Sequence, residues 1–160
     1  MIVIDKKLTE RLAEEAVKLP RKRKNHNFHR ELSDPMNRMI HAMEPETYVQ
    51  PHKHENPDKR EAFIILKGRV AVVEFNDEGE VQEYIILDPQ TGNYGAEVQP
   101  RTWHSLIVLE KGTLVYEVKD GPYDPSDDKF FAPWAPAEGE AGTEEYKKRI
   151  ISKLKIMDRF

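Results

Sequence analysis

The sequence predicts an all-β barrel or sandwich with a short helix at each end, chiefly because strand-length apolar runs alternate with turns. The apolar runs occupy residues 62–66, 70–75, 84–87, 106–109 and 114–118. Turn-forming segments lie at residues 76–79, 88–92 and 110–112. Regular spacing of this kind favours a sandwich or a barrel. Several runs are apolar on both faces, so we expect the terminal helices or a second subunit of a homodimer to cover the outer face.

The length of 160 residues is typical of one domain, in which we distinguish three parts. Residues 1–35 form an N-terminal helix and a basic arm, and residues 36–120 form the barrel core. Residues 121–160 form a crossing segment, rich in proline and aromatic residues, and a C-terminal helix.

The two helices are predicted from their end signals and their apolar stripes. Asp5 can cap the first helix and Pro20 ends it, whereas residues 21–29 lack any period and predict an irregular arm. Thr143 opens the last helix, which carries an apolar stripe made of Tyr146, Ile150, Leu154 and Met157.

The composition restricts the possible partners and ligands. The chain has 25 basic and 29 acidic residues, and its formal charge of -4 does not favour a nucleic acid or an anionic membrane as partner. The absence of cysteine excludes disulfides and thiolate ligands, which leaves imidazole and carboxylate as the strong metal ligands. The N-terminal residues carry charges in place of a continuous apolar stretch, so we expect a cytoplasmic protein.

Three histidines and one glutamate predict a metal site. His52 and His54 are two residues apart, so on a strand they share one face and lie about 7 Å apart. Glu61 and His104 each open an apolar strand, where a polar side chain is unexpected unless it is paired or bound to a metal. A histidine on a strand is more often a hydrogen-bonded structural residue. The order of all four residues is what favours one divalent ion, whose identity (Zn, Fe, Mn or Ni) stays open.

These residues resemble the two sequence motifs of the cupin superfamily. The first motif is matched by His52, His54, Glu61 and Gly68, with six residues between His54 and Glu61. The second motif is matched by Gly95, Pro100 and His104, with Val108 where asparagine is usual. The resemblance implies a cupin-type double-stranded β-helix, or jelly-roll barrel, with a metal ion held by His52, His54, Glu61 and His104.

A closer resemblance extends over nearly the whole chain. It is carried by residues 21–25, 38–39, 47–49, 51–54, 103–104, 117–123 and 132–136. Together these segments are similar to the WbuC family of cupin-fold metalloproteins. That family is associated with bacterial polysaccharide gene clusters, notably those for O-antigen synthesis, and the resemblance implies a role there without fixing a reaction.

Five residues are candidates for binding a small, anionic, sugar-like ligand. Arg23, Arg38 and Lys119 would attract a phosphate or carboxylate. A solvated charged surface is the more common explanation for the run at residues 21–24 and an equally common one for Arg38, and an ion pair with Glu117 is the simpler explanation for Lys119. Tyr48 and Tyr123 could stack on a sugar ring, although aromatic residues in a small barrel more often serve packing. His26 and His29, in the predicted arm, rank below the four metal-ligand candidates.

Three functions remain open at this point. A metal-dependent sugar isomerase or epimerase would use the ion as a Lewis acid beside a proton-transfer group. A non-haem iron dioxygenase is a variant of the enzyme hypothesis. A metal-stabilised module that binds or senses a glycan precursor is the competing class, and residue types alone do not separate it from an enzyme.

Overall fold

A computed structural model describes residues 1–156, which form two five-stranded antiparallel sheets and two helices. The helices are α1 (Lys6–Lys18) and α2 (Thr143–Lys153). The strands are β1 (Arg23–Asn27), β2 (Met36–Met43), β3 (His52–Lys53), β4 (Glu61–Lys67), β5 (Val70–Phe75), β6 (Val81–Leu87), β7 (Gly95–Val98), β8 (Trp103–Val108), β9 (Thr113–Asp120) and β10 (Phe130–Phe131).

The two sheets face each other as a jelly-roll barrel. The strand order is β1-β2-β9-β4-β7 in the first sheet and β10-β3-β8-β5-β6 in the second. From β6 onward the chain alternates between the sheets, so that β7 and β9 belong to the first and β8 and β10 to the second. The prediction of an all-β barrel with terminal helices is therefore confirmed.

The barrel interior is apolar at one end and polar at the other. On β4 the inward residues are Glu61, Phe63 and Ile65, and only the last two belong to the apolar core. On β8 the first inward residue is the polar His104, and the next is Leu106, which belongs to the apolar core. Because side chains alternate along a strand, these residues share the inward face of β4 or β8, which is polar at the start of each strand and apolar further along. The apolar core consists of Met43, Phe63, Ile65, Val70, Val72, Leu87, Val98, Leu106, Val108 and Val115.

Each terminal helix covers the outer face of one sheet, which explains why several strands are apolar on both faces. The carboxylate of Asp5 caps α1 by accepting a 2.8 Å hydrogen bond from the backbone N–H of Leu8, as the sequence predicts. On the first sheet α1 packs through Leu12 and Ala16 against Ile40, Ala42 and Leu114. On the second sheet α2 packs through Tyr146, Ile150 and Leu154 against Ala71, Val73, Phe75 and Ile107. The second subunit of a homodimer stays a prediction.

The prediction of an irregular arm at residues 21–29 is wrong. Arg23–Asn27 form the edge strand β1, which pairs with β2 so that Asn25 lies opposite His41. The sequence of this strand lacks an alternating apolar pattern, because the side chains on one face, including Arg23 and Asn25, line a polar cavity and not the apolar core. The position predicted for Met157 lies outside the described residues.

Gly68, one of the motif residues, lies in the turn between β4 and β5. Its φ of +82° belongs to the left-handed region, which glycine adopts at least cost. A Cβ at this position would overlap the backbone and side chain of Thr113. The turn therefore requires glycine for its backbone conformation and for space.

Neither helix described here has the length and apolar character needed to cross a lipid bilayer.

The packing of α1 on the first sheet yields a prediction about stability. Leu12 is fully buried, so Leu12→Ala should lower the free energy of unfolding by about 2–5 kcal/mol. Val17 on the same helix is half exposed, so Val17→Ala should change the free energy of unfolding by less than about 0.5 kcal/mol. Urea denaturation followed by circular dichroism measures both, and equal effects would contradict the packing described for α1.

Candidate metal centre

The structure brings His52, His54, Glu61 and His104 together at the polar end of the barrel. His52 on β3 lies opposite His104 on β8, and His54 follows directly after β3. Glu61, the first residue of β4, reaches them from the other sheet. One ligand atom from each of the four side chains lies within 4.8 Å of the others. We call these four residues the His–Glu cluster.

Backbone carbonyl groups fix the orientation and tautomer of each imidazole. His52 Nδ1 lies 2.9 Å from the carbonyl oxygen of Gln50, and His104 Nδ1 lies 2.8 Å from that of Thr102. His54 Nδ1 contacts the carbonyl oxygen of Asp128 in the same way. Because a carbonyl oxygen only accepts, each Nδ1 must carry the hydrogen and donate it. In the neutral rings the Nε2 lone pairs are therefore directed at the cluster.

Glu61 lies so close to two of these nitrogen atoms that the contacts need a positive charge. Its Oε1 is 2.8 Å from His54 Nε2, and its Oε2 is 2.9 Å from His104 Nε2. A carboxylate oxygen and an unprotonated nitrogen each present a lone pair, so they repel unless a proton or a cation lies between them. His52 Nε2, also buried, has no hydrogen-bond partner among residues 1–156. Buried polar atoms without partners are costly, and a shared cation would satisfy them all.

The protonation states suit a metal ion. Burial, together with the nearby charges of Lys129 and His104, lowers the pKa of His52 well below its ordinary value. Burial by itself would raise the pKa of Glu61, but the close contacts of its oxygens with His104 and His54 outweigh burial and hold that pKa well below its ordinary range, and a cation between these groups would act in the same direction. Neutral imidazole and ionised carboxylate are the forms that bind divalent metals.

The dimensions of the cluster also fit one ion. Imidazole nitrogen and carboxylate oxygen bind zinc at about 2.0–2.2 Å, so two ligands of one ion lie at most about 4.4 Å apart. The four ligand atoms lie within 4.8 Å of one another, which exceeds this limit by a few tenths of an ångström for opposite ligands and by more for a tetrahedral ion, so the side chains must close on the ion as it binds. The residues present therefore fit a divalent transition metal with three nitrogen ligands and one oxygen ligand.

A buried aspartate connects the cluster to two lysines. The Asp128 carboxylate accepts hydrogen bonds of 2.9 Å from Lys59 and 2.6 Å from Lys119, and its backbone carbonyl orients His54. Lys119 Nζ is also 3.8 Å from Glu61 Oε1. Although burial opposes both shifts, the two lysines lower the pKa of Asp128, and the carboxylates of Glu61, Glu117 and Asp128 raise that of Lys119. Asp128 thus holds the metal-ligand candidates and their nearest cations in one network.

A cavity of about 430 Å³ opens beside the cluster, within the size range of small-molecule sites. Its wall on the first sheet includes the inward face of β2, from which His41 Nε2 lies 2.7 Å from a carboxylate oxygen of Glu117. His41 Nδ1 lies 2.8 Å from the side-chain oxygen of Asn25. The charged residues of the lining are Arg21, Arg23, Lys119, Lys129, Glu61, Glu117, Asp128 and Glu138.

The five predicted ligand-binding residues fall into two groups. Arg23, Lys119 and Tyr123 line the cavity, although Arg23 is paired with Glu138 at 2.9 Å. Arg38 and Tyr48 do not line the cavity. Arg38 points away from the cavity and pairs with Asp34 at 2.9 Å. The hydroxyl of Tyr48 donates to the carbonyl of Pro136 at 2.8 Å, and its ring packs in the core beneath α2.

Sequence reasoning missed Asn37, His41 and Lys129, which also line the cavity. The signal for the first two was the alternation of Asn37, Met39 and His41 along β2, which places all three on one face. Of the two lower-ranked histidines, His29 lines the cavity and His26 does not.

Comparison with known proteins identifies the family. Residues 4–87 match the model of a family described as a domain of unknown function, DUF6016. The chain belongs to this family. A search of curated proteins found no match.

Solved structures with the same architecture extend this result. L-ribose isomerase from Cellulomonas parahominis is 12% identical, with a TM-score of 0.58 over 73% of this chain and 72% of that chain. The protein TT1209 from Thermus thermophilus is 19% identical, with a TM-score of 0.55 over 75% of this chain and 97% of its own. The capsular polysaccharide assembling protein CapF from Staphylococcus aureus is 15% identical, with a TM-score of 0.55 over 67% of this chain and 28% of its own. At such identities these likenesses establish the fold, which is a cupin-type jelly roll.

The Asp128 network leads to a second prediction. Asp128→Asn leaves the buried ammonium group of Lys59 without an ion-pair partner among the described residues and removes the nearer of the two carboxylates paired with Lys119, so it should lower the free energy of unfolding by about 3–5 kcal/mol. Asp58→Asn breaks an exposed ion pair with Arg101 and should have little or no effect. Urea denaturation of both variants checks this, and an unchanged midpoint for Asp128→Asn would show that the lysines do not depend on this carboxylate.

Proposed function

We propose that the protein binds one divalent transition metal with His52, His54, Glu61 and His104, and that the loaded site binds a small, anionic, sugar-like molecule. The convergence of imidazole lone pairs on the Glu61 carboxylate is the observation that carries the proposal. Zinc, iron, manganese and nickel all accept this set of nitrogen and oxygen ligands.

Metal analysis of the purified protein tests the first part of the proposal. Wild-type protein prepared without added metal should contain a divalent ion, and His52→Ala and His104→Ala should each lose most of it. His26→Ala provides a matched control, because His26 lies on β1 outside the cluster and the cavity lining. Inductively coupled plasma mass spectrometry measures the metal content. Equal metal content in wild type and both cluster variants would refute the site.

The charge of the cavity supports an anionic ligand. Its lining contains four cationic side chains and four carboxylates, which balance when the histidines are neutral. A divalent ion would add two positive charges to this balance. Three of the four cations are paired with carboxylates, whereas Lys129 has no ion pair within 4.0 Å in the described part of the chain. Lys129 is therefore the cation free to bind a phosphate or carboxylate of the ligand.

A proton-transfer reaction is the chemistry that the cavity supports best. The metal, when bound, would act as a Lewis acid toward a hydroxyl or carbonyl oxygen. On the wall of the first sheet, the paired side chains of His41 and Glu117 can accept a proton from a bound molecule and return it elsewhere. We therefore favour isomerisation or epimerisation of a sugar or sugar phosphate. A sugar isomerase is among the proteins that share this fold.

We further propose a place for this reaction in bacterial surface polysaccharide biosynthesis, such as that of O-antigen. The similarity of the sequence to WbuC proteins supports this role. The fold is shared with a protein described as assembling capsular polysaccharide, which is compatible with it.

Ligand class is tested by thermal stabilisation of the metal-loaded protein with sugar phosphates. Because a ligand that binds only the folded state raises the melting temperature, D-glucose 6-phosphate or D-ribose 5-phosphate should raise it. Lys129→Met should weaken binding by about 10- to 100-fold, as expected for loss of a charge-assisted hydrogen bond. Lys148→Met, an exposed site on α2, should bind as wild type. The anionic ligand class is wrong if neither sugar phosphate stabilises the wild type.

A further inference from the structure

Asn37 is a buried side chain whose hydrogen-bonding groups have no partner in the described part of the protein. It lies on β2 with only 1% of its surface exposed, and it lines the cavity. Neither Oδ1 nor Nδ2 has a hydrogen-bond partner within residues 1–156. Leaving a buried polar group unsatisfied costs about 1–3 kcal/mol. A molecule in the cavity, whether water or a bound ligand, must therefore complete the hydrogen bonding of this carboxamide.

The nearest side chains on the same face of β2 and β9 do not form hydrogen bonds with the Asn37 carboxamide. Two positions along β2 the next inward side chain is Met39, which is apolar. On β9 the residue opposite is Lys119, whose ammonium group donates to Asp128 at 2.6 Å. The open side of the carboxamide is therefore the cavity.

The sheet places Asn37 at the same level as the His–Glu cluster. Asn37 on β2 pairs in register with Lys119 on β9, and Lys119 pairs in register with Glu61 on β4. Neighbouring strands are about 4.8 Å apart, so the backbones at Asn37 and Glu61 are separated by about 10 Å. A molecule of monosaccharide size bound at the cluster would extend across this distance.

We propose that Asn37 is a specificity-determining residue that binds a hydroxyl group of the molecule held at the His–Glu cluster. The inference rests on the proposed function and narrows its ligand to a polyhydroxylated one. A carboxamide offers one acceptor and two donors, and a hydroxyl both donates and accepts, so one or two adjacent hydroxyls satisfy it. Because the carboxamide is neutral, it distinguishes hydroxylated from plain anions, whereas Lys129 binds the negative charge.

The test compares ligands that share a phosphate and differ in hydroxyl groups. Metal-loaded protein is titrated calorimetrically with inorganic phosphate and, separately, with D-glucose 6-phosphate and D-ribose 5-phosphate. Wild type should bind at least one sugar phosphate about 10-fold or more tightly than phosphate. We call this preference the affinity ratio, the affinity for the sugar phosphate divided by that for inorganic phosphate. Asn37→Leu should bring the affinity ratio close to one while leaving phosphate affinity and metal content unchanged. Loss of one or two hydrogen bonds between neutral groups typically lowers affinity by about 10-fold.

Stability separates a ligand-binding role from a structural one. Leucine is close to asparagine in shape and needs no hydrogen bonds, so ligand-free Asn37→Leu should melt at or above the wild-type temperature. Gln82→Leu, on the exposed side of β6, is the matched carboxamide-to-leucine control and should keep the wild-type affinity ratio. If Asn37→Leu does not fold, Asn37→Thr, which keeps one hydroxyl on a strand-favouring residue, should give an intermediate ratio.

Each other outcome overturns a specific claim. A wild-type ratio near one, or an unchanged ratio in Asn37→Leu or Asn37→Thr, would refute the hydroxyl site while leaving the metal and anion sites intact. A large loss of both melting temperature and metal in Asn37→Leu would show that Asn37 is structural. Absence of metal and of all phosphate binding in wild type would instead refute the proposed function.

Discussion

The functional end of the barrel depends on the three hydrogen bonds from imidazole Nδ1 to backbone carbonyl oxygens. These bonds settle the tautomer of His52, His54 and His104 and direct every Nε2 toward Glu61. With the opposite tautomer, Nε2–H groups would point inward and satisfy the carboxylate without any ion. The backbone segments that precede β3, β8 and β10 thus leave a cluster of lone pairs that a proton or a metal cation must satisfy.

The position of the cluster reflects a division of the barrel interior between stability and binding. Apolar side chains fill one end, and polar side chains of β2, β4, β8 and β9 surround a cavity at the other. An interior that is only partly apolar buries less hydrophobic surface than a filled one. The helices compensate by burying a second apolar layer on the outside of each sheet.

How much the sequence could predict depended on whether a strand faces the apolar core or the cavity. The apolar strands β4, β5, β6, β8 and β9 were predicted, because burial on one or both faces leaves a clear pattern. The edge strand β1 was missed since its inward side chains are polar, and β7 and β10 were missed because they span only four and two residues. The four cluster residues were predicted to meet because all four occur in the order of the two motifs. Arg38 was predicted and Asn37 was missed because the sequence does not show which face of β2 turns inward, and a shift of one residue exchanges the two faces.

The segment that follows β9 contributes both to the geometry of a metal-ligand candidate and to the charge of the cavity. Asp128 orients His54 through its backbone carbonyl and forms ion pairs with two lysines through its side chain. The adjacent Lys129 lines the cavity. An insertion or deletion here would disturb the geometry of a metal-ligand candidate and the charge available to the bound molecule at the same time. Within this family, divergence in ligand preference should therefore proceed by substitution on β2, whose inward side chains can vary without moving the imidazoles, and this segment should keep its length.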